Sequence, residues 1–103
     1  MAEQFVVETT KGADLKALSR YFYALKEVWR LRMLHILAGA EELTVSELAE
    51  RLNISQPLLS WHLRRLRQAD IVTVRKEGRE SFYALDRERL VAYQEEFKRL
   101  LRL

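Results

Sequence analysis

Two helix starts, at Thr44 and Ser55, lie close together, and they constrain this chain more than any other feature. Leu43-Thr44-Val45-Ser46-Glu47-Leu48 carries a capping box, Thr44 with Glu47, inside a hydrophobic staple of Leu43 and Leu48. The helix it opens runs to about Leu52. Asn53 follows, a residue that tolerates the left-handed turn conformation. Ile54 then tucks inward and Ser55 caps the next helix, with Pro57 in the first turn, where its missing N–H costs nothing. In that helix Leu59, Leu63 and Leu66 form one apolar stripe. The other side carries Gln56, Ser60, His62, Arg64, Arg65 and Arg67, all donors or able to donate, with no carboxylate. Ala49 is small enough for close packing of the two helices. The spacing predicts a helix-turn-helix. Alone, the second helix reads as a solvated basic helix; the pair is far more specific.

After Ala69-Asp70 the period changes. Ile71-Val72-Thr73-Val74-Arg75 and Ser81-Phe82-Tyr83-Ala84-Leu85 are β-rich runs around Lys76-Glu77-Gly78-Arg79. This predicts a hairpin with glycine at its tip and with Arg75, Lys76 and Arg79 crowded there. In isolation it is a solvated charged turn. Directly after a helix-turn-helix it is a wing.

The flanks are helical. Residues 1–12 include the strand-like Phe5-Val6-Val7-Glu8-Thr9-Thr10 and are read as an N-terminal arm, leaving 13–103 as the domain. Asp14 caps a first helix whose seam is Leu15, Leu18, Phe22, Leu25 and Trp29. Tyr21 and Tyr23 flank it, and packing is favoured over a ligand site for these aromatics. A second helix runs from about Val28 to Ala38, with Leu31, Leu34 and Leu37 inward and Gly39 as its stop. His35 has no second ligand at metal spacing and is read as packing or surface. Asp86 caps a last helix with Leu85 and Leu90 as staple, and Leu90, Tyr93, Phe97 and Leu100 repeat the first seam. A domain of this size does not easily cover two such stripes. They are therefore expected to meet their copies in a two-fold dimer through Leu15, Leu18, Phe22, Leu90, Tyr93, Phe97 and Leu100. The competing reading is that the two helices cover each other within one chain.

Charge locates the working surface. Residues 55–80 hold six Lys or Arg against three acids, whereas 1–54 hold seven against eight and 81–103 five against four. Most of the net +3 thus lies in the helix after Ser55 and the hairpin, as expected of a phosphate binder. The chain has no cysteine, which excludes disulfides, thiolate metal sites and Cys nucleophiles. No apolar run reaches membrane-spanning length and there is no signal-peptide pattern. A cytoplasmic chain is expected.

Together, Ala24–Leu37, Glu42–Ile54, Ser60-Trp61-His62-Leu63 and Arg75-Lys76-Glu77-Gly78-Arg79 resemble the ArsR/SmtB family of repressors, over roughly residues 14–102. The resemblance implies a mainly α fold with a small β-hairpin, a dimeric winged helix-turn-helix of order α-α-α-α-β-β-α. It also implies operator DNA as partner and an effector, often a metal ion, that releases it. The sequence departs from the family at its sensors. Thr44 and Ser46 stand where the family carries Cys-x-Cys, and hydroxyls are poor ligands for soft metals. Arg87–Leu101 has no His, where the family's other site pairs Asp and His across the dimer. The family's Asp-Pro-x-Arg break reads Glu27-Val28-Trp29-Arg30, so the first two helices are expected to run closer to continuous. Asp70 replaces a glycine before the wing.

The function expected is a homodimeric, sequence-specific repressor bound to an inverted-repeat operator, with no metal site and no cofactor. Gln56, Ser60 and His62 are assigned to base edges, Ser55, Arg64 and Arg65 to phosphates, and Arg75, Lys76 and Arg79 to the backbone or minor groove. Trp61 is open between packing and partial exposure. The effector is an unnamed small molecule or protein, or there is none. The alternative is a winged-helix protein-interaction module. An enzyme has no support, since no Ser-His-acid, paired-carboxylate or phosphate-loop constellation is visible.

Overall fold

The computed structural model describes residues 14–103. The N-terminal arm expected at 1–12 lies outside the described residues. Five helices and a three-stranded sheet follow in the order α1 (Leu15–Leu25), α2 (Val28–Ala38), β1 (Leu43–Thr44), α3 (Val45–Leu52), α4 (Gln56–Gln68), β2 (Val72–Glu77), β3 (Glu80–Leu85) and α5 (Arg87–Leu101). This is the expected winged helix-turn-helix with one addition, the two-residue β1. It pairs with β3, Leu43 opposite Tyr83 and Thr44 opposite Phe82, giving the sheet order β1-β3-β2. So short a strand leaves no period in a sequence, and its residues read instead as staple and cap.

The helices begin where side chains supply orphan N–H groups with acceptors. Asp14 accepts from Ala17 N at 3.0 Å and Asp86 from Arg89 N at 3.0 Å. The break between α1 and α2 survives without proline, contrary to expectation. Glu27 takes extended backbone (φ −107°, ψ 127°), and its carboxylate accepts from Trp29 N at 3.1 Å. A carboxylate cap at a helix start thus does the work expected of proline. Trp29 consequently belongs to α2, not to the first seam.

One core joins all the elements. Met33, Leu37, Leu48, Leu59, Leu63, Leu66 and Ile71 are its fully buried centre. On α2 the inward side is Arg30, Met33 and Leu37; Leu31, expected inward, is half exposed. Arg30 and Arg32 fall on opposite sides of the helix, so its period could not choose a face. On α1 the buried residues are Leu18, Tyr21 and Ala24, and Phe22 lies towards solvent.

The terminal helices cover each other within one chain. Tyr21 stacks on Tyr93 with ring centroids 4.5 Å apart, and Phe22 meets Phe97 edge-on at 4.7 Å. Tyr93 donates its hydroxyl to Ala69 O at 2.9 Å. Leu18 and Tyr93, both assigned to a dimer contact from sequence, are 3% exposed in the single chain and belong to its own core. Of the remaining assigned residues Phe22 is exposed, and Leu15, Leu90, Phe97 and Leu100 are half-buried against that core. Val91 and Leu101 stand exposed on α5 as well.

Candidate nucleic-acid interface

The turn between α3 and α4 is built from local hydrogen bonds. Thr44 Oγ1 accepts from Glu47 N at 3.1 Å while Glu47 Oε1 accepts from Thr44 N at 2.8 Å, completing the capping box. The backbone N–H of Thr44, more than any other group, holds the Glu47 carboxyl below its ordinary range. Asn53 closes α3 at φ 57°, ψ 47°, in the left-handed region asparagine tolerates. Ile54 N donates to Ala49 O at 3.2 Å, and Ser55 Oγ accepts from Leu58 N at 3.3 Å. Gln56 Nε2 then donates to Ser46 Oγ at 3.2 Å, tying the leading end of α4 to α3. Ser55 and Gln56, both exposed, thus also serve the turn itself.

With Leu59, Leu63 and Leu66 buried, α4 turns Ser60, Arg64 and Arg67 to solvent. These three follow at helical spacing along one side. Arg67 was not among the residues assigned from sequence, although the same spacing from Ser60 and Arg64 points to it. Ser46, the partner of Gln56, was missed as well; its place across a turn leaves no periodic signal.

Three assignments change. His62 does not face outward: it is 3% exposed. Its position three residues after Leu59 and four before Leu66 places it on the apolar stripe. Burial pushes its pKa down, the charge of Arg30 pushes the same way, and Glu27 opposes them. An imidazole sealed in the interior cannot reach a base edge. Arg65 is half-buried, one turn beyond Trp61. Its guanidinium lies 5.2 Å from the Trp61 ring and donates to Gln68 at 3.4 Å. Arg75 is exposed but already paired, to Glu42 at 2.5 Å and Glu77 at 2.6 Å, with its guanidinium over Phe82 at 4.4 Å. Its hydrogen bonds to Glu42 hold that carboxyl below the ordinary range. Arg75 therefore braces the root of the wing to the segment before β1 rather than offering an unpaired cation. Lys76 and Arg79 stand exposed at the tip.

The wing is paired from Val72 opposite Leu85 to Glu77 opposite Glu80, leaving Gly78 and Arg79 as a two-residue loop. Gly78 has φ +62°, at the first loop position, where a type II′ hairpin takes glycine. Asp70 enters the wing at φ 59°, in the left-handed region that glycine favours.

Beneath α4 lies a buried polar cluster. Arg30 is 4% exposed, and its Nε donates to Ala24 O at 2.8 Å. Its guanidinium carbon lies 5.6 Å from the Trp61 ring, and Trp61 meets His62 edge-on at 5.0 Å. Arg30 Nη1 and His62 Nδ1 have no protein hydrogen-bond partner. Trp61 itself is 43% exposed, so it both packs and shows a face.

The hydroxyls at the positions of the expected Cys-x-Cys are already engaged. The Thr44 hydroxyl accepts from Glu47 N and the Ser46 hydroxyl from Gln56, so both are engaged in holding the turn. Among the described residues no three His, Cys, Asp or Glu gather as ligands. Nor, among them, is any helix long and apolar enough to cross a membrane.

Residues 29–74 match the profile of the bacterial regulatory protein, arsR family. The chain is 32% identical over 69 residues to the transcriptional repressor SdpR of Bacillus subtilis, covering 67% of this chain and 76% of that one. It is 42% identical over 71 residues to the transcriptional activator HlyU of Vibrio cholerae, covering 69% and 65%. Its fold matches the solution structure of the homodimeric winged helix-turn-helix DNA-binding domain Mb0332 of Mycobacterium bovis with a TM-score of 0.70 at 25% identity, over 78% of this chain and 74% of that one. The pattern read at Thr44–Leu66 and the wing, the element order and these likenesses agree: the chain belongs to the arsR family of bacterial regulatory proteins and is a transcriptional regulator on a DNA-binding winged helix-turn-helix.

Proposed function

We propose that the chain acts in the cytoplasm as a homodimeric repressor bound to an inverted-repeat operator, and that it does so without the family's Cys or His metal sites. The observation that carries this reading is the exposed stripe Ser60, Arg64 and Arg67, set on a helix whose opposite side is buried. Gln56 and Ser60 face base edges, Arg64 and Arg67 hold phosphates beside them, and Lys76 and Arg79 grip the backbone from the wing. SdpR, a repressor, supports repression, while HlyU is an activator. Homodimerisation draws support from Mb0332 and from the apolar side chains Phe22, Val91 and Leu101 left exposed on α1 and α5. Two-fold symmetry then sets half-sites about one helical turn, roughly 10 bp, or a multiple of it apart.

The test is fluorescence anisotropy on DNA selected from a random pool. Arg64→Ala weakens binding to every sequence and lowers the salt slope by about one, while Gln56→Ala relaxes preference at one base position. A chain with no salt-sensitive DNA affinity is instead an interaction module.

A further inference from the structure

Between α1 and the C-terminal half of α4 lies an open cleft of about 220 Å³, lined by Ser19, Arg20 and Tyr23 on one wall and Arg65, Gln68 and Ala69 on the other. Two arginines, a glutamine, a serine and a tyrosine contribute to walls that are mostly apolar, and no carboxylate is among the lining residues. Guanidinium presents parallel N–H donors that fit carboxylate and phosphate oxygens, and hydroxyls and an amide complete such a shell. The volume is below the usual range for drug-sized ligands, so the cleft suits an anion of modest size.

Its position matters as much as its chemistry. One wall is the helix that packs against α5 through Tyr21 and Phe22. The other is the helix that carries Ser60, Arg64 and Arg67. Arg65 links the cleft to that surface, because its guanidinium lies 5.2 Å from the half-exposed Trp61 ring. The Arg65–Gln68 hydrogen bond, at 3.4 Å, is long and is readily exchanged for an anion.

We propose that this cleft binds a small oxyanion, a carboxylate- or phosphate-bearing metabolite, as a regulatory ligand. An anion held between Arg20 and Arg65 draws Arg65 off Trp61 and repacks the exposed side of α4. It changes DNA affinity because it binds the two packings unequally. The regulatory half of this inference rests on the DNA-binding function proposed above; the binding half does not. A DNA backbone phosphate has the same chemistry as the free ligand, and the experiment separates the two.

The test uses the full chain and its Trp61 indole N–H resonance. Inorganic phosphate or citrate is titrated against chloride at matched ionic strength, without DNA. A saturable shift is expected for at least one of the two, weakened at least tenfold in Arg20→Ala and lessened in Tyr23→Phe, both exposed positions outside the DNA face. With DNA present, the same anion changes the affinity of the wild-type chain, and Arg20→Ala removes the change while keeping wild-type affinity in anion-free buffer. No saturable shift beyond chloride, or an equal shift in Arg20→Ala, overturns the site. If Arg20→Ala instead weakens DNA binding and flattens its salt slope with no free-anion response, the cleft holds backbone phosphate and the regulatory ligand is excluded. An Arg20-dependent anion shift in a chain that binds no DNA keeps the site and breaks the proposed function.

Discussion

Two arginines hold two junctions of this molecule by opposite means. At the wing root, Arg75 is open to water and meets two carboxylates, Glu42 and Glu77, with Phe82 beneath it. Under α4, Arg30 is sealed from water, and the protein partners recorded for it are a carbonyl, Ala24 O, and the face of Trp61. Exposed pairs contribute little because water competes for both ions. A buried guanidinium has no such competitor, and its carbonyl partner would be left unpaired without it. The wing root is therefore a guide for register, whereas the Arg30 cluster joins α1, α2 and α4 in the interior.

This contrast can be broken in three places. The largest effect is expected under α4: Arg30→Ala empties a buried site and strands Ala24 O, costing about 2–4 kcal/mol. Urea unfolding measures it, and a loss below about 1 kcal/mol would make the two junctions equivalent. Next comes pH. The His62 pKa is lowered in the folded chain, so the unfolded chain takes up this proton first as pH falls. Stability is thus full above the unfolded value near 6.5 and declines as pH drops through the folded one. Thermal melts between pH 7.5 and 5 should show this slope, and His62→Leu should flatten it without altering base preference; an altered preference would return His62 to the DNA face. The smallest change is expected at the wing root. Arg75→Ala should leave the salt slope of DNA binding nearly as it was, while Lys76→Ala should lower it by about one. Equal slopes for the two variants would show that Arg75 touches phosphate after all.

The same contrast explains what could be read from the sequence. The α3–turn–α4 unit was legible residue by residue, since caps, staple and the left-handed Asn53 are signals within four positions of each other. The wing was legible for the same reason. The pairing of Arg75 was not legible because Glu42 lies 33 residues away, beyond any local pattern. His62 was misassigned because its chemistry was weighed above its place between Leu59 and Leu66. The two terminal seams were found, but an apolar stripe does not name what covers it, and the chain proved to cover Leu18 and Tyr93 itself. Arg30 stood on a helix with no clear polar side, so nothing nearby announced its burial.

The hydroxyl of Tyr93 is fastened to the carbonyl of Ala69, the residue that closes α4. That bond ties the last helix to the end of α4. In the dimer proposed above, if the last helices form the seam, the separation of the two α4 helices follows from where they meet. The gap between the proposed half-sites is then a ruler laid across a contact that no base touches.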